Sequence, residues 1–307
     1  MASALKSQRS DDAMIDGRRR AKTVGVWLLL CLIWGSTWLF IKVGLHDLPP
    51  LSFAGIRFVI AAALLAVIAR IRRSALPRGR TEWSLLVRTG LLAFSVNYGL
   101  LFWGEQYVSS GLAALLQATI PVFGFLFANR MLPQERMTAA KLAGVSIGLA
   151  GVALIFSNQL GVEGSIAFRG SLAILIGAAA CAYSNVQVKI HGGRIAPEVL
   201  AAGQMVFGLV PLLIAGLTLE GNPFRFAWTP LAWICLLYLA VVGSAVAFLA
   251  YYWLVRHMDV TKTMLIALVT PFVAVLIGII VLGERINWQI AAGGVAIVAG
   301  ISLVIRR

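Results

Sequence analysis

The sequence predicts an all-α integral membrane protein: ten transmembrane helices in two inverted five-helix repeats, with the N- and C-termini cytoplasmic. Three observations lead there. Of 307 residues, 60% are hydrophobic and only 12% charged, more apolar surface than a soluble chain of this size can hide. The apolar residues gather into ten segments, each long enough as a helix to cross a bilayer. The second half of the chain repeats the first at an offset near 150 residues.

The segments lie near 24–44, 50–70, 83–103, 109–131, 139–157, 168–189, 197–218, 229–253, 261–282 and 288–305. Each must be helical, because only a helix satisfies its own backbone in hydrocarbon. Residues 1–22 are polar and read as a flexible cytoplasmic tail. The apolar run behind them has full membrane length and no small-residue cleavage pattern, so it is expected to be a retained span. With the N-terminus inside, 21 of the 26 lysines and arginines fall on the cytoplasmic side, four fall outside and Arg57 lies within a span; that asymmetry fixes the orientation. The net charge of +14 does not indicate nucleic acid, because the basic residues sit between apolar runs and form no continuous groove. Cys31, Cys181 and Cys235 all fall inside apolar runs and read as packing residues. His46, His191 and His257 are far apart, so no metal site and no cofactor is expected.

The repeat is visible residue by residue. Trp83, Trp103 and Pro121 recur 150 positions later as Trp233, Trp253 and Pro271. Past the next loop the offset becomes 149, and Glu135, Arg136, Gly144 and Gly151 match Glu284, Arg285, Gly293 and Gly300. The first repeat is placed at 23–157, an external linker at 158–167 and the second repeat at 168–307. Five is an odd number of crossings, so the second copy must enter the membrane from the opposite side. Inverted repeats of this kind build transporters with a substrate site at the repeat interface. The bland alternative is a duplication that only makes a stable bundle.

The stretches WGSTW (34–38) and LSFAGIRF around Arg57, with the paired P…LPQER and P…LGER segments and the glycines downstream, resemble the EamA family of the drug/metabolite transporter superfamily. The resemblance covers residues 23 to 307, and within the family the chain looks most like the YddG-type exporters of aromatic and other amino acids. It implies a central cavity and alternating access in a multi-pass protein of the inner membrane. The function so implied is secondary export of aromatic and other apolar amino acids or related small metabolites. Export of drugs or other metabolites is the alternative within the superfamily, and a gated channel is a further one. A membrane enzyme would need a nucleophile with a base, or a metal cluster, and the histidines and acids offer neither. The expected partners are a small-molecule substrate and the lipid bilayer. Self-association into a weak homo-oligomer stays open.

Polar groups at mid-membrane depth are costly, so their positions are informative. Thr37, Asn97, Tyr98, Gln117, Tyr183, Asn185, Ser244 and Thr270 are candidates for the cavity wall. For each Ser or Thr the competing reading is a hydrogen bond back to its own helix. The amides of Asn97, Gln117 and Asn185 want more partners than a helix supplies. Seven of the nine tryptophans lie near span ends, as an interfacial belt requires, which singles out Trp34 and Trp38 one turn apart in the first span. They are either packing residues or a flat aromatic wall for substrate. Arg57 lies roughly 10 Å deep at helical rise. It either snorkels outward, pairs with a substrate carboxylate, or takes backbone carbonyls. Spans 5 and 10 carry little but small and apolar residues and are expected to pack outside the cavity.

Two further expectations concern mechanism. All twelve acids fall in tails, loops or span ends, so facilitated efflux is the simplest expectation, with coupling through Glu105 or His257 left open. Pro121 and Pro271 each remove a helix hydrogen bond near the midplane of matched spans. They are read as hinges whose alternate bending opens one side and then the other, against static kinks that only shape the cavity.

Overall fold

The structure is a computed structural model that describes residues 2–131, 138–158, 164–257 and 266–305. Its helices are α1 (Ala2–Gly44), α2 (Pro50–Ile71), α3 (Arg80–Glu105), α4 (Ser110–Gln117), α5 (Ile120–Met131), α6 (Ala139–Asn158), α7 (Gly164–His191), α8 (Pro197–Glu220), α9 (Pro230–Leu254), α10 (Ile266–Leu282) and α11 (Trp288–Ile305). Seven helical stretches are long and apolar enough to cross a membrane: Ala21–Gly44, α2, α3, α4 with α5, Ser165–His191, α8 and α9. Among the described residues, three shorter apolar helices add to them: Ala139–Leu154, Val269–Leu282 and Trp288–Leu303.

Three features differ from expectation. The tail joins α1, which is continuous from Ala2. Its residues are mostly good helix formers and contain no proline, so nothing ends the helix before the membrane segment. α6 runs to Asn158 and α7 begins at Gly164, so most of the expected linker is either helical or outside the described residues. The start of the ninth segment (261–265) and the Glu135 and Arg136 pair also lie outside them.

The third difference concerns the prolines. The span with Pro121 is broken rather than bent: α4 ends at Gln117, Ala118 and Thr119 form a turn, and Pro121 sits in the first turn of α5. Proline is well placed there, because its missing N–H belongs to a turn that has no intrahelical acceptor. The Thr119 carbonyl then starts α5 by accepting from Val122 N and Phe123 N at 2.9 and 3.1 Å. Pro271, by contrast, lies inside an unbroken α10. Matched prolines thus produce unlike backbones.

Glycines set how the helices meet. α6 packs along α11, and the contacts run antiparallel: Gly151 faces Gly293 and Ile297, while Gly300 faces Gly144 and Gly148. A Cβ on Gly300 would lie 2.7 Å from the Gly148 nitrogen, so only glycine permits this approach. α2 packs on α8 in the same antiparallel sense, through Gly55 against Leu213 and Ser52 against Gly216. The Ser52 end of α2 is also capped from α8: both carboxylate oxygens of Glu220 accept at 2.7 Å, from Leu51 N and Ser52 N. Each pair joins segments matched by the repeat, and in each the partners run in opposite directions.

Candidate functional site

Among the described residues three helices carry π-helical segments; Leu91–Val96 in α3 and Tyr238–Val246 in α9 lie at corresponding places in the two halves of the chain, and Gly216–Glu220 ends α8. A π segment widens the helix by one residue and leaves carbonyls without their usual donor four residues on. Side chains take up that slack here. In α9, Ser244 Oγ donates back to the Leu239 carbonyl at 2.8 Å. In α3, Asn97 Nδ2 reaches the Ala93 carbonyl at 3.4 Å.

Arg57 docks onto the α9 segment. Its Nε donates to Ser244 Oγ at 2.7 Å and its Nη2 to the Gly243 carbonyl at 3.3 Å. The guanidinium lies 5.1 to 5.8 Å from the ring centres of Tyr98, Phe102 and Phe58. Arg57 is 2% exposed, and its Nη1 has no partner. In this state the guanidinium takes one backbone carbonyl together with the Ser244 hydroxyl.

Cytoplasmic to this cluster in the predicted topology lies an aromatic group. Trp34 meets Phe248 at 5.9 Å edge-on and Tyr251 at 5.4 Å, and Phe248 continues to Phe94 and Tyr252 at 5.3 and 6.2 Å. Tyr98, Cys181, Tyr251 and Tyr252 lie within electrostatic reach of one another. Each of the four keeps part of its surface accessible. Asn185 is exposed and follows Cys181 by one turn of α7. A polar chain backs this wall. Tyr252 OH donates to Gln204 Oε1 at 3.1 Å, Gln204 Nε2 to Thr89 Oγ1 at 2.8 Å, and Thr89 Oγ1 to the Leu85 carbonyl at 2.6 Å. Ser184 Oγ reaches the Thr89 carbonyl at 3.2 Å.

The structure sorts the sequence candidates into groups. Arg57, Tyr98, Ser244 and Thr37 belong together, since Thr37 lies against Gly243. Trp34 and Asn185 go with the aromatic wall. Asn97 and Gln117 satisfy each other, with Gln117 Nε2 donating to Asn97 Oδ1 at 2.8 Å. Thr37 and Thr270 also bond back to their own helices, to the Trp34 and Ile266 carbonyls at 2.7 and 3.0 Å. Tyr183 is turned towards α5, edge-on to Phe127 at 5.5 Å. Trp38 packs with a different core cluster from Trp34, so the two do not form one wall. Four residues advance an α-helix by about 400°, and the resulting step of about 40° is enough to send them to different neighbours.

Sequence reasoning missed Phe94, Phe248, Gln204 and Thr89. The phenylalanines look like ordinary apolar residues of a span. Gln204 and Thr89 lie on helices whose other residues are mostly apolar. Sequence reasoning also missed how the N-terminal end of α4 is held. Glu284, next to Gly283 with φ +65°, turns its carboxylate onto that N-terminus. It accepts from Ser110 N and Ser110 Oγ at 2.7 Å each and from Gly111 N at 3.2 Å.

Comparison with known proteins agrees with this architecture. The profile of the EamA-like transporter family matches twice, over residues 22–157 and 168–306. The chain belongs to the EamA-like transporter family. YoaV of Bacillus subtilis, an uncharacterized transporter, is 31% identical over 271 residues, covering 88% of this chain and 92% of the relative. YedA of Escherichia coli K12, an uncharacterized inner membrane transporter, is 33% identical, over 86% of this chain and 85% of its own. A probable amino-acid metabolite efflux pump of Salmonella typhimurium is 28% identical, over 89% and 91%. One solved crystal structure shares the fold at a TM-score of 0.66 and 20% identity, covering 92% of this chain and 96% of that one. Family membership and the apolar helices make this EamA protein a multi-pass inner-membrane transporter, which fits a protein that is not an enzyme.

Proposed function

We propose that this transporter exports amino acids with aromatic or apolar side chains, or related small metabolites, by alternating access of two inverted five-helix repeats. The observation that carries the reading is the wall of Trp34, Phe248, Tyr251 and Tyr252. It is only half-buried, it is edged by Asn185, and it is assembled from both halves of the chain. Flat rings bury an apolar side chain, while the amide and phenol groups offer hydrogen bonds to its polar end. The double match of the family profile and the antiparallel pairing of α2 with α8 and α6 with α11 support the inverted repeat and its ten spans. The name of the Salmonella relative supports the substrate class, and the resemblance to YddG-type exporters points the same way.

The test is counterflow in proteoliposomes loaded with unlabelled phenylalanine or tryptophan, following labelled uptake. Saturable accumulation that falls about tenfold in Trp34→Ala is the expected result, the size of losing one buried aromatic contact worth ~1.5 kcal/mol. No uptake of these, nor of methionine or threonine, sinks the amino-acid assignment and moves the search to drugs and other metabolites. Currents without saturation would mark a channel.

A further inference from the structure

The sequence placed every acid at a span end or in a loop, where water would hold it. Glu105, the last residue of α3, departs from this. It is 0% exposed, and neither of its carboxyl oxygens has a hydrogen-bond partner. Other acids at helix ends are satisfied. Glu220 and Glu284 each take backbone N–H groups at helix starts, as described above. Glu198 accepts from the Ser74 hydroxyl and lies 3.8 Å from Arg72. Lys42 stands beside Glu105 but gives its Nζ hydrogens to carbonyls instead, those of Glu105 and Val108, at 2.7 Å each.

The surroundings of the carboxyl are mixed in charge. Lys42 from α1 and Arg57 from α2 face it as cations, and Glu284 from the segment between α10 and α11 faces it as an anion. α4 brings no titratable group. On α7, which meets this end of α3 at Gly104 and Gly170, the adjacent Arg169 is exposed. A carboxylate stripped of water and given no donor is far costlier to bury than the neutral acid. The closed packing seen here therefore favours Glu105 with a proton on it. Opening the outer side would admit water, and Lys42 would stand ready as partner for the ionised form.

We propose that Glu105 is a proton-binding site, and that its proton is the counter-substrate exchanged for the exported molecule; this rests on the transporter reading above. The proton is taken from external water as the outer side packs shut and the carboxyl dries, and it leaves inward only when opening of the cavity to the cytoplasm brings water back to the carboxyl. A carboxyl that is hydrated in one state and dry in the other couples proton occupancy to conformation, because the proton binds the two states unequally. Facilitated efflux, the simpler expectation from sequence, has no use for such a group.

Two measurements test this. In proteoliposomes with the membrane potential clamped, an acid-inside pH gradient should raise accumulation of labelled phenylalanine, by up to about tenfold per pH unit for one proton per substrate. Glu105→Gln should lose that response. Wild-type accumulation that ignores the gradient, while substrate counterflow proceeds, overturns the proposal and leaves the amino-acid reading standing. The second measurement needs no substrate: infrared difference spectra of wild type against Glu105→Gln in lipid, across neutral pH. A protonated-carboxyl stretching band present in wild type and lost in the variant supports the site, whether or not phenylalanine is carried. Its absence from wild type overturns the proposal even where Glu105→Gln folds poorly.

Discussion

Removing the Ser244 hydroxyl should expose how Arg57 is held. In Ser244→Ala the guanidinium loses its 2.7 Å acceptor and keeps one of these two hydrogen bonds, the 3.3 Å bond to the Gly243 carbonyl. Nη1 already lacks a partner, so two of the three guanidinium nitrogens would then be buried and unsatisfied. A hydrogen bond to a charged group contributes about 1.5–3 kcal/mol. At roughly 2–4 °C per kcal/mol, the apparent Tm should fall by several degrees. Arg57→Met should cost less, although it removes a larger group. Its stem still packs among Phe58, Tyr98 and Phe102, and no buried charge is left behind. In the Arg57→Met background, Ser244→Ala should cost under about 1 kcal/mol, because the two residues share one interaction. Thermal unfolding of the four proteins in one detergent, followed by tryptophan fluorescence, closes the cycle. Equal losses for Ser244→Ala with and without Arg57 would show that the hydroxyl serves only the π segment of α9. The idea that it anchors the cation would then fail.

Two other predictions follow from the backbone. Gly300→Leu would force α6 and α11 apart and should abolish a monodisperse peak on size exclusion, whereas Val295→Leu on the 66% exposed, outward side of α11 should leave it intact. If the prolines are hinges, Pro121→Ala and Pro271→Ala should both slow counterflow. The Pro121 effect should be the larger, because restoring an N–H there allows α4 and α5 to fuse across the break at Ala118–Thr119, while α10 is already continuous. Unchanged rates in both variants would reduce the prolines to static shape.

Much of this protein is determined by sequence alone, because the bilayer imposes it. A run of apolar residues such as Pro50–Ile71 has one way to satisfy its backbone in lipid, so its helix is legible without a partner. The spacing of Gly144 and Gly151 against Gly293 and Gly300 announced two matched, closely packed helices, since small residues serve that contact wherever it occurs. Tertiary structure decided what depends on neighbours. Trp34 and Trp38 look alike in sequence, yet the rotation of α1 gives one to Phe248 and Tyr251 and the other to a separate core. Pro121 and Pro271 are a matched pair by position, but the turn at Ala118–Thr119 separates their backbones. Ser244 was legible as a polar residue in a span. Its role as the acceptor for Arg57 came only from a π segment that brings together residues 187 apart in the chain. Glu105 shows the same limit most sharply. Its place at a span end suggested water, yet the folded chain leaves it 0% exposed.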